Sequence, residues 1–269
     1  MIKKRVKIGA IIVLAFFIAV MTMALFGIGT NKSYESTLLL SIFNIIFLSI
    51  VPFITFYLLM KGYFKYGQSN FIFVGISLFI LGLGSMVAAF VRGIEDGANL
   101  NVIAFNFGFF LASLFQLKGA ISTIKRKSEK PNALKVIFLC IITILIFVLV
   151  MVLSLKGMFP KFFIQGEGPT LVRQVILAST IFLFIISAII FYLNGKKLSS
   201  EVPLWYSMGL ILISIGLTGV FFQKSVGSII GWIGRASQYT GGLYFLIILL
   251  ILIREYHNGT SELNFFPLR

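Results

Sequence analysis

The chain has 269 residues, of which 59% are hydrophobic and only 12% are charged, whereas an ordinary soluble domain carries about 25% charged residues. A soluble fold of this length could not bury so much apolar surface, and the mean hydropathy of +1.04 excludes that class. The single cysteine (Cys140) and single histidine (His257) exclude a disulfide framework and a histidine-based metal or haem site, and the net charge of +15 fits lipid-facing loops better than nucleic acid.

Apolar runs of about 20 residues predict the transmembrane helices. The first run is longer than the apolar core of a signal peptide, and no Ala-x-Ala site follows it, so we expect an uncleaved anchor helix. The sequence therefore predicts an all-α, polytopic membrane bundle of about eight helices, at 8–28, 37–60, 70–91, 101–121, 134–155, 174–194, 203–222 and 236–253.

The domain organisation follows from the short connections between these runs. No loop exceeds about 18 residues, which leaves no room for a soluble domain between spans. We expect one transmembrane domain over residues 1–254 and a cytoplasmic tail over 255–269. The polar loop 125–132 is the best candidate for a joint between two halves, 1–124 and 133–254.

The basic residues divide unequally between alternate loops. Sixteen lysines and arginines lie on the side of the bundle that holds the N-terminus, and seven lie on the opposite side. Because cytoplasmic loops carry the excess of lysine and arginine, we expect a multi-pass protein of the cell membrane with both termini in the cytoplasm. Contact with anionic membrane lipids then accounts for the positive charge without nucleic acid.

The spans contain almost no ionisable groups, since all eight acidic residues lie in loops or at span ends. Proton-coupled transporters, retinal proteins and intramembrane metalloproteases need such groups at mid-membrane, so the sequence predicts no enzyme and no cofactor. We expect Asn44, Asn106 and Gln116 to form hydrogen bonds between helices. Pro52 removes one backbone donor and predicts a kink in the second span.

The loop Gln165-Gly-Glu-Gly-Pro-Thr170 leads into the sixth span. We expect Pro169 in the first helical turn and Thr170 or Gly168 as its cap. Arg173 would then lie one turn into the helix, within reach of Glu167 or a lipid headgroup. Two interpretations stay open: a helix start with an interfacial cation, or an extracytoplasmic contact with a ligand or lipid.

A second unusual stretch begins at Gly227 and runs into the last span. We expect its glycines, Gly227, Gly231 and Gly234, to let a short apolar segment bend and pack closely on a neighbour. Trp232 and Tyr239 are typical of the aromatic belt at a membrane interface. The residues expected to face a neighbouring helix are Gln238, Gly241 and Gly242.

The motif Gly231-Trp232-x-Gly234-Arg235-x-x-Gln238-Tyr239-x-Gly241-Gly242-x-Tyr244 resembles the last span of MASE-type membrane-associated sensor modules. These modules form the N-terminal region of PAS-containing histidine kinases in bacteria and archaea. The helix start at Gly168-Pro169-Thr170-x-x-Arg173 and the tail Arg254-Glu255-x-x-x-Gly259-Thr260-Ser261 are similar to the same group, so the resemblance covers residues 165–265. Many relatives have Gly-His where this chain has Gly234-Arg235.

The resemblance implies a sensory input domain whose last helix passes a membrane or ligand signal to a PAS or kinase domain. That output would be a fused domain of a longer protein or a separate cytoplasmic partner, and a homodimer is a further expectation. The alternative is a transporter or channel for a neutral or lipidic solute, which predicts a continuous polar path or broken helices. The candidate ligand or signal residues are Arg173, Trp232, Arg235, Gln238, Tyr239 and Tyr244, which could instead only fix helix register and depth.

Overall fold

The protein is a multi-pass membrane protein built of long helices. The computed structural model describes residues 4–28, 36–91, 94, 96–125, 129–164, 167–198, 201–223 and 228–257. In this part of the chain, seven helices are long and apolar enough to span a bilayer: Ile8–Phe26, Leu38–Tyr66, Ser69–Phe90, Gly97–Ile124, Ala133–Leu155, Leu171–Lys197 and Glu201–Phe222. The predicted all-α, polytopic class is confirmed at this level.

The α-helices in chain order are α1 (Lys4–Met23), α2 (Thr37–Ile45), α3 (Val51–Tyr66), α4 (Ser69–Phe90), α5 (Gly97–Lys125), α6 (Ala133–Leu155), α7 (Leu171–Leu198), α8 (Glu201–Phe222) and α9 (Ile229–His257). Two π-helical turns, Ala24–Ile28 and Ile46–Ile50, extend α1 and join α2 to α3. A short antiparallel pair of strands, β1 (Phe163–Ile164) and β2 (Gly168–Pro169), precedes α7.

The last helix, α9, contains the eighth predicted span but is not among the seven. Its first half includes Arg235 and Gln238, which lower the hydropathy of the described part. The helix begins at residue 229 rather than 236, so the stretch expected to lead into it is already helical. The count of eight membrane crossings stays a prediction.

The second span is a single apolar helix that contains an irregular turn. The Val51 N–H donates to Ile46 O, five residues back, which closes the π-turn Ile46–Ile50. Pro52 has no N–H and cannot donate to the carbonyls one turn before it. A π-turn therefore lies directly before Pro52, and the kink expected there stays a prediction.

Local signals explain where several helices begin and end. The Ser36 hydroxyl accepts from Leu39 N–H and caps α2, and the Asn132 side chain accepts from Lys135 N–H and caps α6. Gly67 ends α3 in the left-handed region, with φ of 65°, and its N–H donates to Tyr63 O. The Gly67 cap shapes the short turn from α3 into α4.

Six of the long helices pack in a closed ring. In order around the ring, α4 packs on α5, α5 on α7, α7 on α8, α8 on α9, and α9 on α3, which returns to α4. α1 lies against α8 and α9, and α6 lies against α4 and α5, with many apolar side chains of both left uncovered. Because α6 packs with α4 and α5, the packing crosses the predicted division between 1–124 and 133–254.

Small residues let the ring helices approach closely. Gly84 and Gly108 meet where α4 crosses α5, since a Cβ on Gly108 would lie 3.0 Å from Gly84 Cα. Polar side chains then join helices as predicted: Tyr206 OH donates to Gln116 Oε1 at 2.8 Å. The Asn106 Nδ2 atom, in contrast, is buried without a hydrogen-bond partner among the described residues.

The two ends of the bundle differ in their charged residues. We name the end where α8 finishes and α7 and α9 begin the arginine end, after Arg173 and Arg235. The opposite end, where α3 finishes and α4, α6 and α8 begin, is the lysine end, which includes Lys61, Lys65, Lys118, Lys135, Lys196 and Lys197.

Candidate functional site at the arginine end

The start of α7 is fixed by the strand pair that precedes it. Thr170 N–H donates to Phe162 O, which holds Pro169 in β2, two residues before the first residue of α7. The expectation that Pro169 occupies the first helical turn is therefore wrong. Thr170 is the cap, as predicted, because its Oγ1 accepts from Arg173 N–H at 3.5 Å and its carbonyl accepts from Gln174 N–H at 3.2 Å.

Arg173 points towards the end of α8. It is only 3% exposed, and its Nη2 donates to Val220 O at 3.0 Å. The next residue, Gln174, donates its Nε2 to Phe221 O at the same distance. The last carbonyls of a helix lack intrahelical donors and carry the negative end of its dipole, so a cation is favourable there. The structure therefore places the Arg173 side chain on the end of α8 rather than on Glu167, and its contact with a headgroup stays a prediction.

Three candidate residues lie on one side of α9 at three-residue spacing. Ser228 caps the helix, since its hydroxyl accepts from Gly231 N–H at 3.4 Å. The guanidinium carbon of Arg235 then lies 5.7 Å from the centre of the Trp232 ring, a cation–π geometry. Arg235 is also close enough to Arg173 for their charges to repel. The structure therefore brings together Arg173 of α7 and Arg235 of α9.

Glycines allow α8 and α9 to pack closely beside these residues. A Cβ on Gly216 would lie 2.5 Å from Gly234 O and would also clash with the Gln238 side chain. Gly231 packs in the same way on Gln223 at the end of α8. α9 is helical through Gly231 and Gly234, so the bend expected at these two glycines is wrong, whereas their expected close packing is confirmed.

Several buried polar atoms of this cluster have no hydrogen-bond partner among the described residues. They are three donors and one acceptor: Arg173 Nε, Trp232 Nε1, Gln238 Nε2 and Gln174 Oε1. Gln238 is 1% exposed, so water outside the bundle does not reach it. Buried polar groups are normally paired, which makes such a concentration a functional signal. We name the cluster of Arg173, Gln174, Trp232, Arg235 and Gln238 the arginine site.

Tyr239, in contrast, belongs to a different contact of α9. It is buried, its hydroxyl donates to Asn44 Oδ1 at 3.0 Å, and its ring meets the Phe43 ring edge-on. One turn later, Gly242 lies against the backbone of Phe47, where a Cβ would come within 2.6 Å of the carbonyl oxygen. The expected place of Tyr239 in an interfacial belt is wrong, and it joins α9 to the π-turn region of the second span.

Tyr244 makes a third contact. Its hydroxyl donates to Ala10 O at 2.9 Å, and its ring meets the Trp205 ring edge-on with centroids 5.3 Å apart. These partners belong to α1 and to the first turns of α8, at the far end of α8 from Val220. The six candidate residues therefore occupy three separate places along α9 and α7.

Sequence reasoning missed residues whose roles depend on the packing partner. Gln174 follows Arg173 directly, and its polarity at a helix start was an available signal. Gly216 and Gly219 of α8 gave a second one, because small residues let a neighbouring helix approach closely. No local signal shows that Val220 O accepts from Arg173, since this depends on how far α7 extends beside α8.

Parts of the predicted motifs lie outside the described residues: Gln165, Gly166, Gly227 and the tail from 258 to 269, with the side chains of Arg254 and Glu255. Within the described part, no group of three or more His, Cys, Asp or Glu could hold a metal ion. Comparison of the chain with protein-family models, with curated proteins and with solved structures gave no match.

Proposed function

We propose that the chain is a membrane-embedded sensory input domain that receives a signal at the arginine site and passes it through α9 to a cytoplasmic output. One observation carries this proposal. α9 is an uninterrupted helix of 29 residues that holds Trp232, Arg235 and Gln238 in its first three turns and continues to His257. At 1.5 Å per residue, it extends about 43 Å, enough to cross the bilayer.

The proposed orientation follows from the charges. The lysine end holds the larger share of basic residues, and the side with more lysine and arginine is normally cytoplasmic. The arginine site then faces the outside of a cell membrane, while the end of α9 and both termini face the cytoplasm. In this orientation α9 forms the eighth membrane crossing.

In this proposal α9 moves as a unit. Against α8 it presents Gly234 and Gly241, which meet backbone atoms of Gly216 and Gly209, and the side chains of Gln238 and Phe245 pack on those two glycines of α8. Against the second span it contacts the π-turn region, and π-turns are irregular segments frequently found at functional sites. A ligand would shift α9 only by binding one of its positions more tightly than the other.

The resemblance of Gly231–Tyr244 to the last span of MASE-type sensor modules supports the same function. It implies a PAS or kinase domain as the output, fused or as a partner. The residues of that motif are the ones that place α9 on its neighbours here: the glycines on α8, Tyr239 on Asn44, and Tyr244 on Ala10.

Alanine insertions in α9 test this function directly. The domain is fused through α9 to a histidine kinase core, and one to seven alanines are inserted after Tyr256. Each residue rotates the output by about 100°, so kinase activity should vary with insertion length and return near seven residues, which are about two turns. The matched control places the same insertions after Met158, in the loop that follows α6. Activity that does not change with length at Tyr256 contradicts the proposal.

A second candidate function is a transporter or channel for a neutral or lipidic solute. It is favoured by unpartnered buried polar atoms of the ring helices, Asn106 Nδ2, Gln116 Nε2 and Ser207 Oγ, and by the π-turn in the second span. Solute flux in proteoliposomes that falls in Gln116→Leu, with kinase output of the fusion unchanged, would establish this function instead.

A further inference from the structure

Arg173 brings a positive charge into the packed end of the bundle. It is buried, and among the described residues its side chain donates to a neutral carbonyl rather than to a carboxylate. The Arg235 charge lies close enough to repel it. Burying a charge without a counter-charge is costly, so this arrangement needs a reason.

The unpartnered atoms indicate which class of ligand would fit this arrangement. Arg173 Nε, Trp232 Nε1 and Gln238 Nε2 are all donors, contributed by two helices and buried at the same end of the bundle. Three donors without acceptors beside two guanidinium groups match a ligand with several acceptor oxygens and a negative charge. A neutral solute would satisfy the donors but would leave the buried Arg173 charge without an anion.

The ends of the helices also favour an anionic ligand. α7 and α9 both begin at the arginine end, and a helix N-terminus favours an anion through its free N–H groups and its dipole. The C-terminus of α8 has the opposite sign, but Gln174 and Arg173 already cover its last carbonyls.

We propose that the arginine site binds an anionic group, a phosphate or a carboxylate, which contacts Arg235, Trp232 and Gln238 and neutralises Arg173. This ligand class rests on the proposed function, because it names the signal that α9 would transmit. The same chemistry is available from the headgroup of a lipid with net negative charge and from a soluble anion outside the membrane, and the experiment separates the two.

The test uses the full chain in lipid nanodiscs and measures its thermal stability. In discs of phosphatidylcholine alone, inorganic phosphate and succinate are titrated as soluble probes. In a separate arm, phosphatidylglycerol replaces part of the lipid, and native mass spectrometry counts the retained anionic lipids. We expect one arm to raise the Tm, with binding weakened on the order of tenfold in Arg235→Gln and severalfold in Gln238→Met.

The control is Lys156→Gln, which removes an exposed cation that follows α6 and lies outside the site. It should respond to the anions like the wild type. A rise with phosphatidylglycerol alone identifies a lipid ligand, and a rise with phosphate or succinate identifies a soluble one. Arg173→Gln removes a cap of α8 and could fail to fold, so Arg235→Gln decides.

Equal anion responses of wild type and Arg235→Gln overturn the inference, as does the absence of any response in all arms. Loss of the response in Lys156→Gln overturns it as well, because binding would then follow general surface charge. Anion binding without any effect on the output of the kinase fusion would leave the site in place and reject the sensory function.

Discussion

The two ends of the bundle differ in what their cations contact. A described cation at the lysine end forms an ion pair with an acidic side chain, whereas one at the arginine end donates to a backbone carbonyl. Lys135 Nζ lies 2.7 Å from one oxygen of Glu129 and 2.9 Å from the other. Lys118 and Lys135 also lie over the Phe73 ring, at 4.5 and 5.8 Å from its centre. Arg173, at the other end, is held by Val220 O.

The difference separates a structural contact from a candidate binding site. Around Glu129, further bonds fix the loop before α6: Glu129 N–H donates to Gly67 O, and Asn132 N–H donates to Tyr63 OH. Neutral unpartnered atoms occur at this end too, on Tyr66 and Asn70, so unpartnered atoms alone do not distinguish the ends. What distinguishes the arginine end is that unpartnered donors accompany the buried charge of Arg173, with the partly buried Arg235 close to it.

The largest expected effect comes from the packing that builds the arginine end. In Gly216→Val, the new side chain would meet Gly234 O and Gln238, so α9 must separate from α8. We expect a loss of about 3 kcal/mol in the free energy of unfolding, measured in mixed detergent micelles. Gly9→Val is the control, since nothing lies within 4 Å of its added Cβ. Similar stability of the two variants would mean that this contact does not hold the arginine end together.

The next comparison removes one cation from each end. Arg173→Met keeps much of the side-chain volume but leaves Val220 O without its donor, and we expect a loss of about 2 kcal/mol, less any relief from Arg235 repulsion. Lys135→Met breaks a partly exposed ion pair, whose worth is about 0–1 kcal/mol. Unfolding in the same micelles measures both. A larger loss in Lys135→Met would reverse the distinction between the ends.

Two tyrosines extend the comparison from charged groups to neutral hydrogen bonds. Tyr239→Phe leaves Asn44 Oδ1 buried without its donor, and we expect a loss of about 1 kcal/mol. Tyr63→Phe frees the backbone N–H of Asn132, a residue exposed to water, and should cost less. The double variant Tyr239→Phe/Asn44→Leu is the control, because it removes both partners and should recover part of the loss. No recovery would place the cost elsewhere than in this hydrogen bond.

The helices themselves were predictable from sequence because each depends on a property of its own residues. Long apolar runs and capping residues such as Thr170 and Asn132 act locally, and the bilayer demands helices wherever such runs occur. The errors in the predicted helix boundaries also arise because the prediction uses only local properties. Polar residues in the first turns of α9, including Arg235, made the sequence read as a connecting segment, although their partners on α8 and α7 keep that segment helical.

The site was predictable only in part. Arg173, Trp232, Arg235 and Gln238 are predicted from their place near a span end and from the resemblance to MASE-type modules, and the structure brings them to one end of the bundle. Tyr239 was misplaced because an aromatic ring with a hydroxyl suits an interface and a buried hydrogen bond equally well. Its partner Asn44 lies 195 residues away in the chain, and no local pattern joins the two.

The smallest expected effect tests whether the ion pair of the lysine end is merely structural. Glu129→Gln keeps the shape and the backbone bond to Gly67 O but removes the charge that faces Lys135. Since both side chains are partly exposed, we expect a loss of at most about 0.5 kcal/mol in the unfolding free energy, and less at high salt. Lys130→Gln, which alters an exposed cation in the same loop, is the control. A loss larger than that of Arg173→Met would contradict this comparison. The stability of the fold would then depend more on the charge at the lysine end than on the charge at the arginine end.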